Sequence, residues 1–149
     1  MCVLRVYSET DSFAEFLKDS ALRPYDVWEK GDMSVRREPH EYYGFKCAVS
    51  DREWTDLDGQ VEDALAFLRR YEVELRKLRE THTICDEMQL DFPYECRLGK
   101  QGIAIQGNYL PAEFLLLAGQ LGIGVALSHY PGKDEDDGEG SETEQASEQ

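Results

Sequence analysis

From Leu57 to about Arg79, apolar side chains recur alternately four and three positions apart, at Leu57, Val61, Ala64, Leu68, Tyr71, Leu75 and Leu78, and charged residues fill the gaps. Residues three and four apart share one face of an α-helix, so the spacing predicts a helix with a single apolar stripe. A stripe of that kind has to be buried. Three heptads interrupted by Ala64 and Tyr71 suit a helix laid on a sheet better than a coiled-coil seam.

The sheet is legible in the flanking segments. Cys2, Leu4 and Val6 alternate with Val3, Arg5 and Tyr7, which predicts a strand with one buried face. Tyr25 to Lys30 reads as a second strand, stopped at Gly31-Asp32, and Tyr43, Phe45, Cys47 and Val49 as the inward side of a third. Thr83 to Phe92, Gly102 to Gly107 and Ile123 to Leu127 are predicted to complete a sheet of about six strands. Residues 31–41 mix charge with Gly and Pro and read as a loop.

Two shorter helices are expected. Ser12-Phe-Ala-Glu15 has the form of a capping box, in which the hydroxyl and the carboxylate satisfy orphan N–H groups at a helix start. Pro111 opens the other helix, where a missing N–H costs nothing, and Gly122 closes it. Ala14-Glu-Phe-Leu17 recurs as Ala112-Glu-Phe-Leu115, each copy set between strands, a faint internal repeat that chance also explains. The expected architecture is an α+β domain over residues 1–131: a largely antiparallel sheet with three helices on one face, built from ferredoxin-like β-α-β units. The other face would carry Arg5, Tyr7, Lys46 and Trp28.

After Pro131 the composition changes. Residues 132–149 hold eight acids, one Lys and no aliphatic side chain larger than Ala, too little apolar surface to offset the entropy of ordering, so an acidic disordered tail is expected. The tail contributes −7 to the net charge of −15, which leaves −8 for the folded part. An excess of this sign repels phosphate backbones and anionic bilayers, so neither nucleic acid nor a membrane is an expected partner. A basic protein is, because complementary charge steers it in. No apolar run is long enough to span a bilayer, and Arg5 and Glu9 interrupt any secretory signal, so a cytoplasmic protein is expected.

Candidate chemistry is sparse. Cys2, Cys47, Cys85 and Cys96 form no C-x-x-C pair, and His40, His82 and His129 lack ligand spacing, so no metal or cofactor is expected. His82-Thr-Ile-Cys-Asp-Glu87 is the densest polar cluster, but on a strand neighbouring side chains point to opposite faces and the cluster disperses. Asp86 breaks the apolar phase of its segment; Arg5 or Lys46 could pair with it, or a bulge could turn it outward. Trp28 beside the loop that carries Arg36 and Arg37 has the composition of an interface anchor, and equally that of a buried ring next to a solvated loop. The glycines around Gly99-Lys-Gln-Gly102 match no phosphate-loop pattern.

Lys30-Gly31-Asp32, the helix end Leu75-Arg-Lys-Leu78, and the closing Leu110-Pro-Ala-Glu-Phe-Leu, Leu121-Gly-Ile-Gly-Val and Ser128-His-Tyr130 together resemble the bacterial family called domain of unknown function 4279, over nearly all of residues 3–130. The resemblance implies a fold and supplies no catalytic residues. In size the chain is similar to small bacterial immunity proteins, an analogy at fold level only. The residues leave three expectations: a protein-binding module of immunity or regulatory type, a small-molecule enzyme or sensor using Arg5, Lys46 and Asp86 on the open sheet face, or a homo-oligomer.

Overall fold

The computed structural model describes residues 1–81, 88–100 and 102–131. Strand β1, Val3–Ser8, lies at the centre of a five-stranded sheet, paired antiparallel to β3, Tyr43–Ala48, on one side and to β4, Met88–Cys96, on the other. Strand β2, Asp26–Trp28, adds antiparallel to β3, and β5, Ile123–Pro131, adds parallel to β4, giving the order β2-β3-β1-β4-β5. The first four strands form two interleaved split β-α-β units, since β3 separates β1 from β2 and β1 separates β3 from β4.

The sheet is therefore mixed and has five strands among the described residues, not the expected six. Gly102 to Gly107 forms no strand. Gly99 and Gly102 adopt positive φ, and the local bonds Gly99 N to Ile103 O and Ile103 N to Lys100 O, both 2.9 Å, close a turn. The alternation of Ile103 and Ile105 has no buried side, and Ile105 is fully exposed. Residues 82–87, which include Asp86 and the polar cluster, and residues 132–149 lie outside the described residues.

Among the described residues there are four helices rather than three. The stretch from Leu57 is helical as α2, Leu57–Arg70, and again as α3, Glu72–Thr81, with an interruption at Tyr71, where ψ is 17°. One straight helix of this length would run about 35 Å, well beyond strands of about 20 Å. The break lets α2 lie on the sheet against β4 while α3 packs against α4, Ala112–Leu121. The capping box at α1, Ala14–Asp19, does not form: Ser12 Oγ accepts from Ala14 N at 3.2 Å and donates to the Glu29 carboxylate, while Glu15 pairs with Lys18.

One core results. Cys2, Leu4, Val6, Phe45, Cys47, Met88, Leu90, Phe92 and Ile123 all point to the same side of the sheet and meet Val61, Ala64, Leu68, Leu75, Leu78, Phe114, Ala118 and Leu121 from the helices. Phe13, just before α1, joins them edge-on to Phe45. Every described helix thus covers one face of the sheet and leaves the other uncovered by helix. None is long and apolar enough to cross a membrane.

Candidate functional site

The register fixes what the uncovered face displays. Asp26 and Trp28 on β2, Gly44 and Lys46 on β3, Arg5 and Tyr7 on β1, Gln89 and Asp91 on β4, and Ala126, Ser128 and Tyr130 on β5 share that side. At its centre Arg5 reaches diagonally past its register partner Gln89 to Asp91, with Nη2 2.6 Å from Oδ2. Ser128 Oγ donates to the other carboxylate oxygen of Asp91 at 2.5 Å, so the adjacent strands β1, β4 and β5 are tied by one polar chain. Nε of Arg5 is buried without a hydrogen-bond partner among the described residues.

A second ion pair joins Lys46 to Asp26 at 3.0 Å, and the same ammonium lies 5.1 Å from the centroid of the Trp28 ring. Trp28 is only 6% exposed, because His40 stacks on it at 4.9 Å and Tyr7 leans against it at 5.9 Å. His40 is brought there by the loop, whose paired bonds Gly31 N to His40 O and His40 N to Asp32 O, and whose bridge between Met33 and Pro39, make residues 31–40 a narrow hairpin. Arg36 and Arg37 stand exposed at its tip beside fully exposed Val35, and Arg37 takes a positive φ of 61° to make the turn.

Arg5, Lys46 and Trp28 thus share one face, with Lys46 against Trp28, while Arg36 and Arg37 make no hydrogen bond or ion pair with these three. Asp86 is not among the described residues, and the carboxylates that meet Arg5 and Lys46 are Asp91 and Asp26. Both were within reach of sequence reasoning. Continuing the alternation of Met88, Leu90 and Phe92 puts Asp91 on the side opposite the core, and the Asp26–Lys46 pairing follows from the antiparallel register.

At the other end of the face Trp54 and Tyr130 meet edge-on, with ring centroids 5.1 Å apart and exposures of 42% and 45%. Trp54 is held there by backbone and side-chain bonds that replace β1 beyond its end: Glu95 N donates to Trp54 O, and Gln60 Nε2 donates to Glu53 O and Pro93 O, each at 3.0 Å. Pro93 interrupts nothing, since the β1 pairing already stops at Asp91. Beside this corner, a cleft of about 150 Å³ is lined by Trp54, Asp56, Asp58, Tyr94, Glu95 and Arg97 among others, and Tyr94 Oη lies 2.6 Å from His129 Nε2. Ligand pockets commonly run from about 300 Å³ upward, so the cleft is too small for most metabolites. Among the described residues no group of His, Cys, Asp or Glu is arranged to hold a metal ion.

The family described as Domain of unknown function (DUF4279) matches residues 1–132, which is the whole of the described fold. The chain belongs to that family. No curated protein and no solved structure matches it. The DUF4279 match extends from β1 to the end of β5, so the uncovered face lies wholly within the family's domain. The Arg5–Asp91–Ser128 chain and the Trp54–Tyr130 pair are both built from its residues.

Proposed function

We propose that this DUF4279 protein is a binding module that holds a protein partner against the uncovered face of its sheet. The observation that supports this reading is an exposed aromatic pair, Trp54 and Tyr130, beside a centre where Arg5 and Asp91 already compensate each other. Exposed Trp and Tyr are the side chains that most often anchor interfaces. Paired charges at the centre reduce what a partner must desolvate without compensation. Five strands at about 4.8 Å spacing and strands of about 20–30 Å make a face on the order of 500 Å² before the hairpin arm is counted, approaching the roughly 800 Å² per partner of ordinary stable complexes. The net charge of −15 favours a basic partner through long-range steering, as an immunity or regulatory protein would use it.

Affinity capture with the full chain, run side by side with Trp54→Ala/Tyr130→Ala, tests the reading. A specific protein enriched on the native chain and reduced at least tenfold on the variant is the expected result; equal capture on both would remove the face from the account. The competing small-molecule reading draws on the orphan Nε of Arg5. Thermal-shift screening against anionic metabolites separates the two, because only the small-molecule reading expects a shift that disappears in Arg5→Met.

A further inference from the structure

The two edges of the sheet are unlike. Strand β2 is three residues long, follows Pro24, carries Asp26 and is continued by Glu29 and Lys30 into the hairpin arm. Shortness, proline and charge are the usual devices that keep an edge from pairing with another chain. Strand β5 is long and uncharged, with no proline before its last residue. It runs for nine residues, Ile123-Gly-Val-Ala-Leu-Ser-His-Tyr-Pro131, and contains no Lys, Arg, Asp or Glu. No backbone bond from another described segment reaches its outer side.

The helix above that edge is apolar on the matching flank. Phe114, Ala118 and Leu121 point into the core, and Glu113 pairs with Arg69 of α2. At about 100° per residue, Leu115 and Gly119 then lie on the flank away from α2, above the free edge of β5, with Leu116 at the outer shoulder. Leu115 is 45% exposed, Leu116 64%, and a side chain on Gly119 would meet nothing within 4 Å. Leu127, at the middle of β5 and on the same side of the sheet as α4, is also exposed.

We infer that this edge is where a second copy of the chain binds, β5 against β5 antiparallel, with α4 beside α4 across a two-fold axis perpendicular to the sheet. A two-fold interface sets a surface against itself, so like charges on it would face each other. On a chain of net charge −15, a strand and helix flank free of charge form a surface that a second copy tolerates. An extended peptide would pair with the strand and leave Leu115 wet. A second copy buries the strand, Leu115 and Leu127 together and makes one ten-stranded sheet with all the described helices on one side. A strip about 30 Å long and 15–20 Å deep buries on the order of 500 Å² per copy, less than a standard interface, so a weak association that depends on concentration is expected.

The experiment is sedimentation equilibrium of the full chain from 5 to 500 μM, at low and at moderate salt, with Leu115→Glu in parallel and amide hydrogen exchange at both ends of the concentration range. A species of twice the 17.1 kDa chain mass is expected, favoured by salt because screening relieves the repulsion of two acidic copies. Leu115→Glu, a change at a half-exposed helix position, is expected to weaken it at least tenfold at unchanged helix content. Amides of residues 123–131 are expected to gain protection as concentration rises. A monomer at 500 μM, a dimer indifferent to Leu115→Glu, or concentration-dependent protection confined to other strands would each overturn the assignment.

Discussion

The indole of Trp28 occupies the space that a side chain on Gly44 would need: a Cβ built on Gly44 falls 2.2 Å from Cζ2 and 2.6 Å from Cε2 of the ring. Strands β2 and β3 bring the two residues into register, and the missing side chain lets the ring lie down on the sheet under His40. Gly44→Ala therefore has to lift the ring. Overpacking at such a site costs about 1–3 kcal/mol. In a Trp54→Phe background, urea unfolding of Gly44→Ala should show that loss, and the remaining Trp emission should shift to the red as the ring gains water.

Arg5 and Asp91 are only partly shielded from solvent, so their ion pair contributes little alone; its value lies in tying β1 to β4 while Ser128 adds β5. Asp91→Asn keeps an acceptor for Ser128 and removes the charge, and is expected to cost about 1 kcal/mol in dilute buffer. The loss should shrink as salt screens the native pair. Equilibrium unfolding at two ionic strengths measures it, and a loss independent of salt would mean that packing, not charge, holds the site.

How much of this was readable in advance depends on the range of the interaction. The apolar stripe from Leu57 to Leu78 and the alternation of Leu4 with Arg5 are local, and both gave the buried side correctly. The break at Tyr71 was invisible because it interrupts the helix without changing its phase: Leu68, Tyr71, Leu75 and Leu78 keep helical spacing across it. Residues 103–105 misled for the converse reason. Their alternation is strand-like, but two positive-φ glycines commit the backbone to a turn before any neighbour can pair with it.

The face itself was half legible. Arg5, Lys46 and Trp28 could be assigned to it from alternation within their own strands. Asp91 follows from the alternation of Met88, Leu90 and Phe92, but its meeting with Arg5 and Ser128 needed the order of strands, which arises from contacts between residues far apart in sequence. Trp54 had no periodicity at all, since it sits in a loop fixed from below by Gln60.

Burial pushes the Cys47 thiol from its usual 9 up to about 11, and raises that of Cys2 further, chiefly by burial and then by the nearby charge of Asp91. In the unfolded chain both thiols ionise near pH 9, and in the fold they stay protonated above it. The unfolded state therefore binds fewer protons than the folded state between pH 9 and 11, so stability falls with rising pH in that window. Cys47 contributes on the order of 2 kcal/mol to that fall by pH 11. Cys47→Ala should flatten the upper part of the profile. At pH 8, alkylation mapped by peptide mass spectrometry should modify Cys96, which is half-buried, well before Cys47 or Cys2.

Gln60 decides where the corner of the candidate face stands. It is completely buried on α2, and its amide nitrogen serves two carbonyls that belong to different segments, Glu53 in the loop and Pro93 in β4. Its own Oε1 has no partner among the described residues, so what the side chain contributes is its two donor bonds. Replacing it by Met preserves volume and removes both bonds, leaving two carbonyls to find water, at a cost of about 1–3 kcal/mol. Gln60→Glu keeps the shape but presents a carboxylate to two carbonyls, and should be worse unless the acid is protonated. Burial raises the folded pKa of that acid, so the variant's stability should recover toward that of Gln60→Met as pH falls to the ordinary carboxyl pKa of about 4, the reverse of the usual acid response. If partner binding depends on Trp54, both variants should weaken it even at temperatures where they remain folded, because the loop that carries Trp54 has lost its anchor.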